Sequence, residues 1–464
     1  MSASVEAAAA ACLARLPQPG PAPDDEPWWA HSLAQGTTGI ALVHVERARL
    51  GTGTWRQAHA WIRRACAGGP VSAGDDAGLF QGLPAVAFLL RATARYGGGL
   101  ADTAGPLAAI AHRRADALQA RVAAGIPATF REYDVFFGLA GLGALLLRLD
   151  PGGGATERVL TSLVALTRPR REQDVWLPGW WVGHDPHRRN SSSYPGGHAN
   201  LGMAHGVTGP LALLAIAARA GHTVDGHTEA IAVILDFLDS WRQDGPHSLW
   251  WPQWITRRDL VLGRPSQTGP GRPSWCYGTP GIARAGQLAA LAIGDPAVQH
   301  RYEDALAACL ADFAQQELVT DPGLCHGAAG LYQTVRRAAE DAVAPTLTSF
   351  LPQLAGRLAR RASDPRGHGP GFLDGDAGAF LALSSAQRPF DPPSSEWDTC
   401  LLLALRPRTK HTGASSSSAS PTKPPRSPSA VWPPSWTAPP GPVRGGSSAS
   451  TPAGGCASAP RPTP

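Results

Sequence analysis

Seven times along the chain a small-residue turn leads into an apolar run. The turns are Gly36-Thr37-Thr38-Gly39, Gly82-Leu83-Pro84-Ala85, Gly138-Leu139-Ala140-Gly141, Gly206-Val207-Thr208-Gly209, Gly278-Thr279-Pro280-Gly281, Gly327-Ala328-Ala329-Gly330 and Gly375-Asp376-Ala377-Gly378. They recur every 45 to 70 residues or so, long enough for a pair of helices each. The runs that start at the turns are apolar on every face: residues 209–220 carry one charge, Arg219. Such a helix is expected to be buried all round. Between them lie amphipathic patterns, at 107–123, 228–241, 297–315 and 345–361, with apolar positions at i, i+3 and i+4 and charges opposite. Strand-like alternation is scarce. The pattern therefore predicts an all-α fold in which each repeat contributes one inner and one outer helix. Seven such pairs can stack as an open solenoid or close into a barrel. In a closed barrel every inner helix starts at the same end, so the glycine turns meet around one cavity.

Two stretches depart from the repeat. Residues 168–200 and 246–272 read as long loops, and loops of that length tend to be functional. From His411 onward Ser, Pro, Gly and Ala dominate, which divides the chain into a folded unit, 1–410, and a tail, 411–464, expected to be disordered. The N-terminal stretch, residues 1–16, is Ala-rich and has no basic region ahead of a strong apolar run, so it predicts a helix or a frayed end and not a signal peptide.

Charge changes this picture little. The formal net charge is +5, but Lys423, Arg426, Arg444 and Arg461 sit in the tail without any acid, leaving the rest near neutral. No basic, aromatic-interleaved face argues for nucleic acid. No run of 18 apolar residues predicts a membrane span. Seven cysteines, an odd number at irregular spacing in a long chain, do not make a disulfide framework, and a cytoplasmic location is the default expectation.

Three side chains change it more. Cys276 lies just ahead of the fifth turn, and Cys325-His326 just ahead of the sixth. Two thiolates and an imidazole suit one zinc ion and leave its fourth tetrahedral position open, as in catalytic sites. The alternative is that both cysteines are small buried packing groups. Equivalent places in neighbouring repeats favour the shared ion. At Gly36, Gly82 and Gly375 no chemical side chain is expected to accompany the turn, and those glycines are read as packing features.

The stretches Asn200-Leu201-Gly202-Met203-Ala204-His205-Gly206, Trp275-Cys276-Tyr277-Gly278 and Cys325-His326-Gly327, in that order, resemble the lanthionine synthetase C (LanC) family and its LanC-like relatives. Tyr133-Asp134-Val135 and Trp397-Asp398 match as well, and the resemblance runs from about Ser32 to Leu405. It implies an α/α barrel, a toroid of about seven inner and seven outer helices, with one zinc at its mouth. It further implies addition of peptide Cys thiols to dehydroalanine or dehydrobutyrine, giving lanthionine or methyllanthionine thioether rings. The family's zinc ligands fall on Cys276, Cys325 and His326. Its catalytic His falls on His205, the partner Asp on Asp134, an Arg on Arg272 and a Tyr on Tyr277. The second turn departs from the pattern with Ala85 in place of a Gly, and the Ser/Pro tail is not a family feature.

Addition of a thiol to a dehydroamino acid needs a thiolate and then a proton for the enolate. A free thiol, with a pKa near 8.5, is mostly protonated at pH 7, and zinc binds it as thiolate. His205 can take the thiol proton or protonate the enolate carbon. Asp134 can orient His205 or cap the helix that follows it. Arg272 can hold the enolate oxygen or be a solvated loop charge. Tyr277 can hydrogen-bond near the metal or pack. His184, His187 and His198 are expected to be loop residues and not ligands. The expected partners are a dehydrated precursor peptide with its leader and a separate dehydratase, since no nucleotide-binding glycine loop or kinase-like HRD stretch is present. Two further readings share these residues: addition of glutathione or another small thiol to dehydroamino acids, and a peptide-binding scaffold with structural zinc. A carbohydrate-active barrel would need two cleft carboxylates, and among the turns only Asp134 stands out.

Overall fold

Every one of the seven glycine turns opens a helix. In the computed structural model, which describes residues 2–20, 27–67, 71–93, 97–246 and 248–404, these are α1 (Thr37–Arg49), α2 (Leu83–Thr93), α3 (Leu139–Leu149), α4 (Thr208–Arg219), α5 (Thr279–Ile293), α6 (Ala328–Asp341) and α7 (Asp376–Ala386). They are buried on almost all faces, as uniformly apolar helices must be. Their packing order is cyclic: each touches the next, and α7 touches α1.

Small residues at the turns permit this. A Cβ on Gly281 would overlap the Trp275 carbonyl oxygen, and one on Gly330 would overlap the Leu324 carbonyl oxygen. At six of the seven junctions the residue two or three places ahead of a turn donates its backbone N–H to the carbonyl two places ahead of the next turn. The bonds are Leu33 to Phe80 (3.0 Å), Val135 to Ala204 (3.1 Å), Met203 to Cys276 (2.9 Å), Cys276 to Cys325 (3.1 Å), Cys325 to Leu373 (2.9 Å) and Leu373 to Ala34 (2.9 Å). This belt of backbone bonds holds the turns in a common register.

Amphipathic helices follow six of the seven: Trp55–Ala67, Ala104–Ala124, Gly154–Leu166, His227–Ser240, Pro296–Ala311 and Thr346–Ala362. The pattern at 297–315 predicts one helix, but the chain breaks at Asp312. Its carboxylate accepts from the backbone N–H of Ala314 and Gln315 and starts a new short helix, Phe313–Glu317. No amphipathic helix follows α7 among the described residues. The N-terminal helix Ser2–Arg15 takes that place, packing on α7 and on Thr346–Ala362. Val5, Ala8 and Cys12 are buried there, and Arg15 pairs with Asp376 at 2.6 Å.

After α7 the chain instead turns inward. Residues 394–403 reach four of the seven helices: Glu46 of α1 accepts from the N–H of Ser394 and Ser395, Arg148 of α3 pairs with Glu396, Arg284 of α5 donates to the Leu403 carbonyl, and Gln333 and Arg337 of α6 hold Asp398. Trp397, Cys400, Leu401 and Leu403 are fully buried. Trp397-Asp398 is thus buried among these helices.

The two departing stretches are not structureless. Strand His198–Asn200 from the first pairs antiparallel with Trp254–Thr256 from the second. Two further short ribbons, and helix Arg257–Leu262 with its Thr256/Asp259 capping box, complete them. None of the described helices is long and apolar enough to cross a membrane. The Ser/Pro-rich segment 411–464 lies outside the described residues.

Candidate functional site

The belt brings equivalent positions of distant repeats together. Cys276 and Cys325 both stand two places ahead of their turns, and the N–H of one bonds the carbonyl of the other. Their thiols and a His326 ring nitrogen lie within 4.8 Å of one another. Among the described residues no other cluster of three His, Cys, Asp or Glu side chains has this geometry. Both cysteines are buried, and His326 is half-buried. The donor set fits zinc: two sulfurs and one nitrogen, gathered by backbone bonds and not by an apolar core alone. Ser274 Oγ lies 3.5 Å from the Cys276 sulfur. Burial pulls the His326 pKa down, but the hydrogen bond to Cys276 and the negative charge of its thiolate form and of Asp321 outweigh it, and the net shift is upward.

One place ahead of each turn stand Gln35, Gln81, Phe137, His205, Tyr277, His326 and Asp374. All seven are half-buried, and each is followed by a buried glycine. From the fourth turn to the seventh this position holds titratable side chains: His, Tyr, His, Asp. Asp374 corrects the expectation that no chemical side chain accompanies the turn at Gly375. Its Oδ1 lies 3.9 Å from His326 Nδ1.

His205 Nδ1 is 2.7 Å from Asp134 Oδ2, and Asp134 is fully buried. The other carboxylate oxygen, Oδ1, accepts from the N–H of Phe137 (2.7 Å) and Gly138 (2.8 Å) at the start of α3. One carboxylate therefore both orients the histidine and ties down the turn that leads into α3. Phe130 stacks on His205 with centroids 5.4 Å apart, and Phe136 packs on it at 4.8 Å. His184 and His198 lie behind Phe130, at 4.7 and 5.8 Å, and neither belongs to the metal cluster. Burial lowers the His198 pKa to about 4.

Tyr277 does more than pack. Asn200 Oδ1 accepts from the Gly202 N–H, which turns Nδ2 toward the Tyr277 hydroxyl at 3.0 Å. The tyrosine oxygen is thus an acceptor for Asn200. Arg272 lies beside the metal cluster, with Nη1 3.7 Å from Asp321 Oδ2, and Asp321 Oδ2 is 4.0 Å from His326 Nε2. Asp321, Asp374 and Asn200 are the polar residues here to which the sequence reading gave no role. Asp374 could have been found from its register alone.

The model of the family described as "Lanthionine synthetase C-like protein" matches residues 27–402. The nisin biosynthesis protein NisC of Lactococcus lactis subsp. lactis is 23% identical over 279 residues, 59% of this chain and 64% of that protein. The match thus spans a little under two thirds of that relative's length. The solved structure of a nisin cyclase superposes with a TM-score of 0.69 at 20% identity, over 81% of this chain and 93% of that one. This likeness identifies the fold.

Proposed function

The chain belongs to the lanthionine synthetase C-like family, and from that premise we propose that it is a zinc-dependent lanthipeptide cyclase. It adds Cys thiols of a dehydrated precursor peptide to dehydroalanine or dehydrobutyrine within the same peptide. Its helices form an α/α barrel, α1 to α7 inside and the amphipathic helices outside, with the N-terminal helix as the seventh outer member. The cyclic packing of α1 to α7 supports this architecture. The observation that carries the function is the meeting of Cys276, Cys325 and His326 in one rim with the His205–Asp134 pair.

Zinc held by Cys276, Cys325 and His326 would take the substrate thiol as a thiolate at neutral pH. The rest of the step belongs to the chain's own groups. Asp134 Oδ1 already accepts two backbone N–H groups, so the carboxylate is an acceptor on both oxygens. His205 Nδ1 must then be the donor, which leaves Nε2 bare and able to accept the thiol proton. The sulfur bonds to the β-carbon of the dehydroamino acid, and the electron pair moves onto the carbonyl as an enolate. Tyr277 and Arg272 are the donors at hand for that oxygen. His205, now protonated, returns the proton to the α-carbon, so the reaction is an isomerisation of the peptide with no change in mass.

The partners in this reading are a leader-bearing peptide and a separate dehydratase, in the cytoplasm. The test incubates zinc-loaded protein with a dehydrated, Cys-containing peptide and counts alkylatable thiols by mass spectrometry. Loss of the thiol at constant mass is expected. In Cys276→Ala zinc and cyclisation are lost together, and in His205→Ala zinc stays while cyclisation falls. If the peptide's thiol survives and added glutathione is joined instead, the small-thiol activity replaces this one.

A further inference from the structure

Two shielded polar atoms face each other beside the metal cluster. His326 Nδ1 has no hydrogen-bond partner, and neither has Asp374 Oδ1, 3.9 Å away. The Asp374 side chain is partly exposed, but this oxygen is shut off from solvent. An unpaired shielded donor or acceptor costs stability, so a bond between these two atoms would relieve both. The His326 ring does hydrogen-bond the Cys276 thiol, so the nitrogen turned to that thiol is Nε2.

The other carboxylate near His326 is already committed. Asp321 Oδ1 accepts from the Gly323 N–H at 3.0 Å, and its Oδ2 faces Arg272 at 3.7 Å. Asp321 therefore serves the turn ahead of α6. Asp374 is placed differently. Leu373, its chain neighbour, accepts from the N–H of both Leu324 (2.6 Å) and Cys325 (2.9 Å), and the Gly323 position packs on the Asp374 backbone. The belt thus fixes Asp374 against the Cys325-His326 pair.

We propose that Asp374 is the positioning carboxylate of the metal site: it accepts the Nδ1–H of His326 and so holds the ring with Nε2 toward the ion. The inference rests on the zinc reading above. A metal-bound imidazole ordinarily donates its second N–H in this way, which sets both tautomer and ring angle. The 3.9 Å between the two atoms is about 1 Å beyond hydrogen-bond range.

The test measures zinc affinity of the metal-free full chain by competition with a chromophoric chelator, in wild type, Asp374→Ala, Asp374→Asn and Asp321→Ala. Asp374→Ala is expected to weaken zinc binding by about 10- to 100-fold, with Asp374→Asn between it and wild type and Asp321→Ala within about threefold. Cobalt at saturation gives a second readout: its visible bands shift in Asp374→Ala, because the imidazole no longer holds one orientation. Wild-type affinity and an unshifted cobalt spectrum in both Asp374 variants would overturn the proposal, as would a larger loss in Asp321→Ala. If wild type itself binds no zinc, the metal reading falls and this inference with it, an outcome distinct from the others.

Discussion

Asp134 divides its two oxygens between two tasks, and the division can be tested one residue at a time. Asp134→Asn keeps an oxygen for the N–H groups of Phe137 and Gly138 but turns an NH2 toward His205 Nδ1. The histidine must then protonate Nε2 and lose its basic nitrogen. Cyclisation should fall by at least ~100-fold while melting changes little, the separation expected when an orienting carboxylate is removed and its bonds to the turn are kept. Asp134→Ala should add a loss of about 1 kcal/mol in urea unfolding, because the N–H groups of Phe137 and Gly138 lose their acceptor as well. A variant with normal turnover would remove Asp134 from the chemistry. Burial lowers the His198 pKa to about 4, against the opposing pull of its hydrogen bond to the His184 carbonyl. Its folded pKa lies below the unfolded value of about 6.5, so unfolding takes up a proton as pH falls through that window. Stability should therefore decline between roughly pH 6.5 and 4, by on the order of 3 kcal/mol from this residue. Melts across that range should show the slope, and His198→Asn should flatten it.

At the scale of the element, the glycine turns explain both what the sequence made legible and what it hid. The repeats, the apolar helices α1 to α7 and the convergence of Cys276, Cys325 and His326 followed from register alone. Asp374 was passed over because its turn was judged by Gly375 and not by the place ahead of it. The break at Asp312 was hidden because apolar periodicity continues across it, and only the cap chemistry of the aspartate separates the helices. The pairing of His198–Asn200 with Trp254–Thr256 joins segments over 50 residues apart, and three-residue strands leave no alternation to read. The turns also make a sharp prediction. Gly330→Ala should destabilise by about 1–3 kcal/mol and weaken zinc binding, since the Leu324 carbonyl must move and Cys325-His326 follow it directly. Gly105→Ala, at a helical site with open space around it, should stabilise by about 0.5 kcal/mol. Equal melting of the two variants would contradict the close-approach account.

Across the whole molecule, the two ends of the folded chain complete what the repeats leave undone. The N-terminal helix covers α7, and residues 394–403 pack against α1, α3, α5 and α6, burying Trp397, Leu401 and the Asp398–Arg337 pair. The sequence predicted a helix or a frayed end at residues 1–16, with no sign of where it docks, because its Ala-rich surface lacks a distinctive partner face. Deleting residues 2–15 should expose α7 and lower the melting temperature by several degrees, with zinc content retained. An unchanged melt would mean that the helix contributes no stability. The central claim is that turns far apart in sequence meet to hold one metal ion. The most direct measurement is zinc per chain in purified, zinc-supplied protein, wild type beside Cys325→Ala. About one zinc in the first and little in the second is the result expected of a site built from these turns. No zinc in well-folded wild type, or the same zinc in both, would contradict it and leave Cys276 and Cys325 as packing groups.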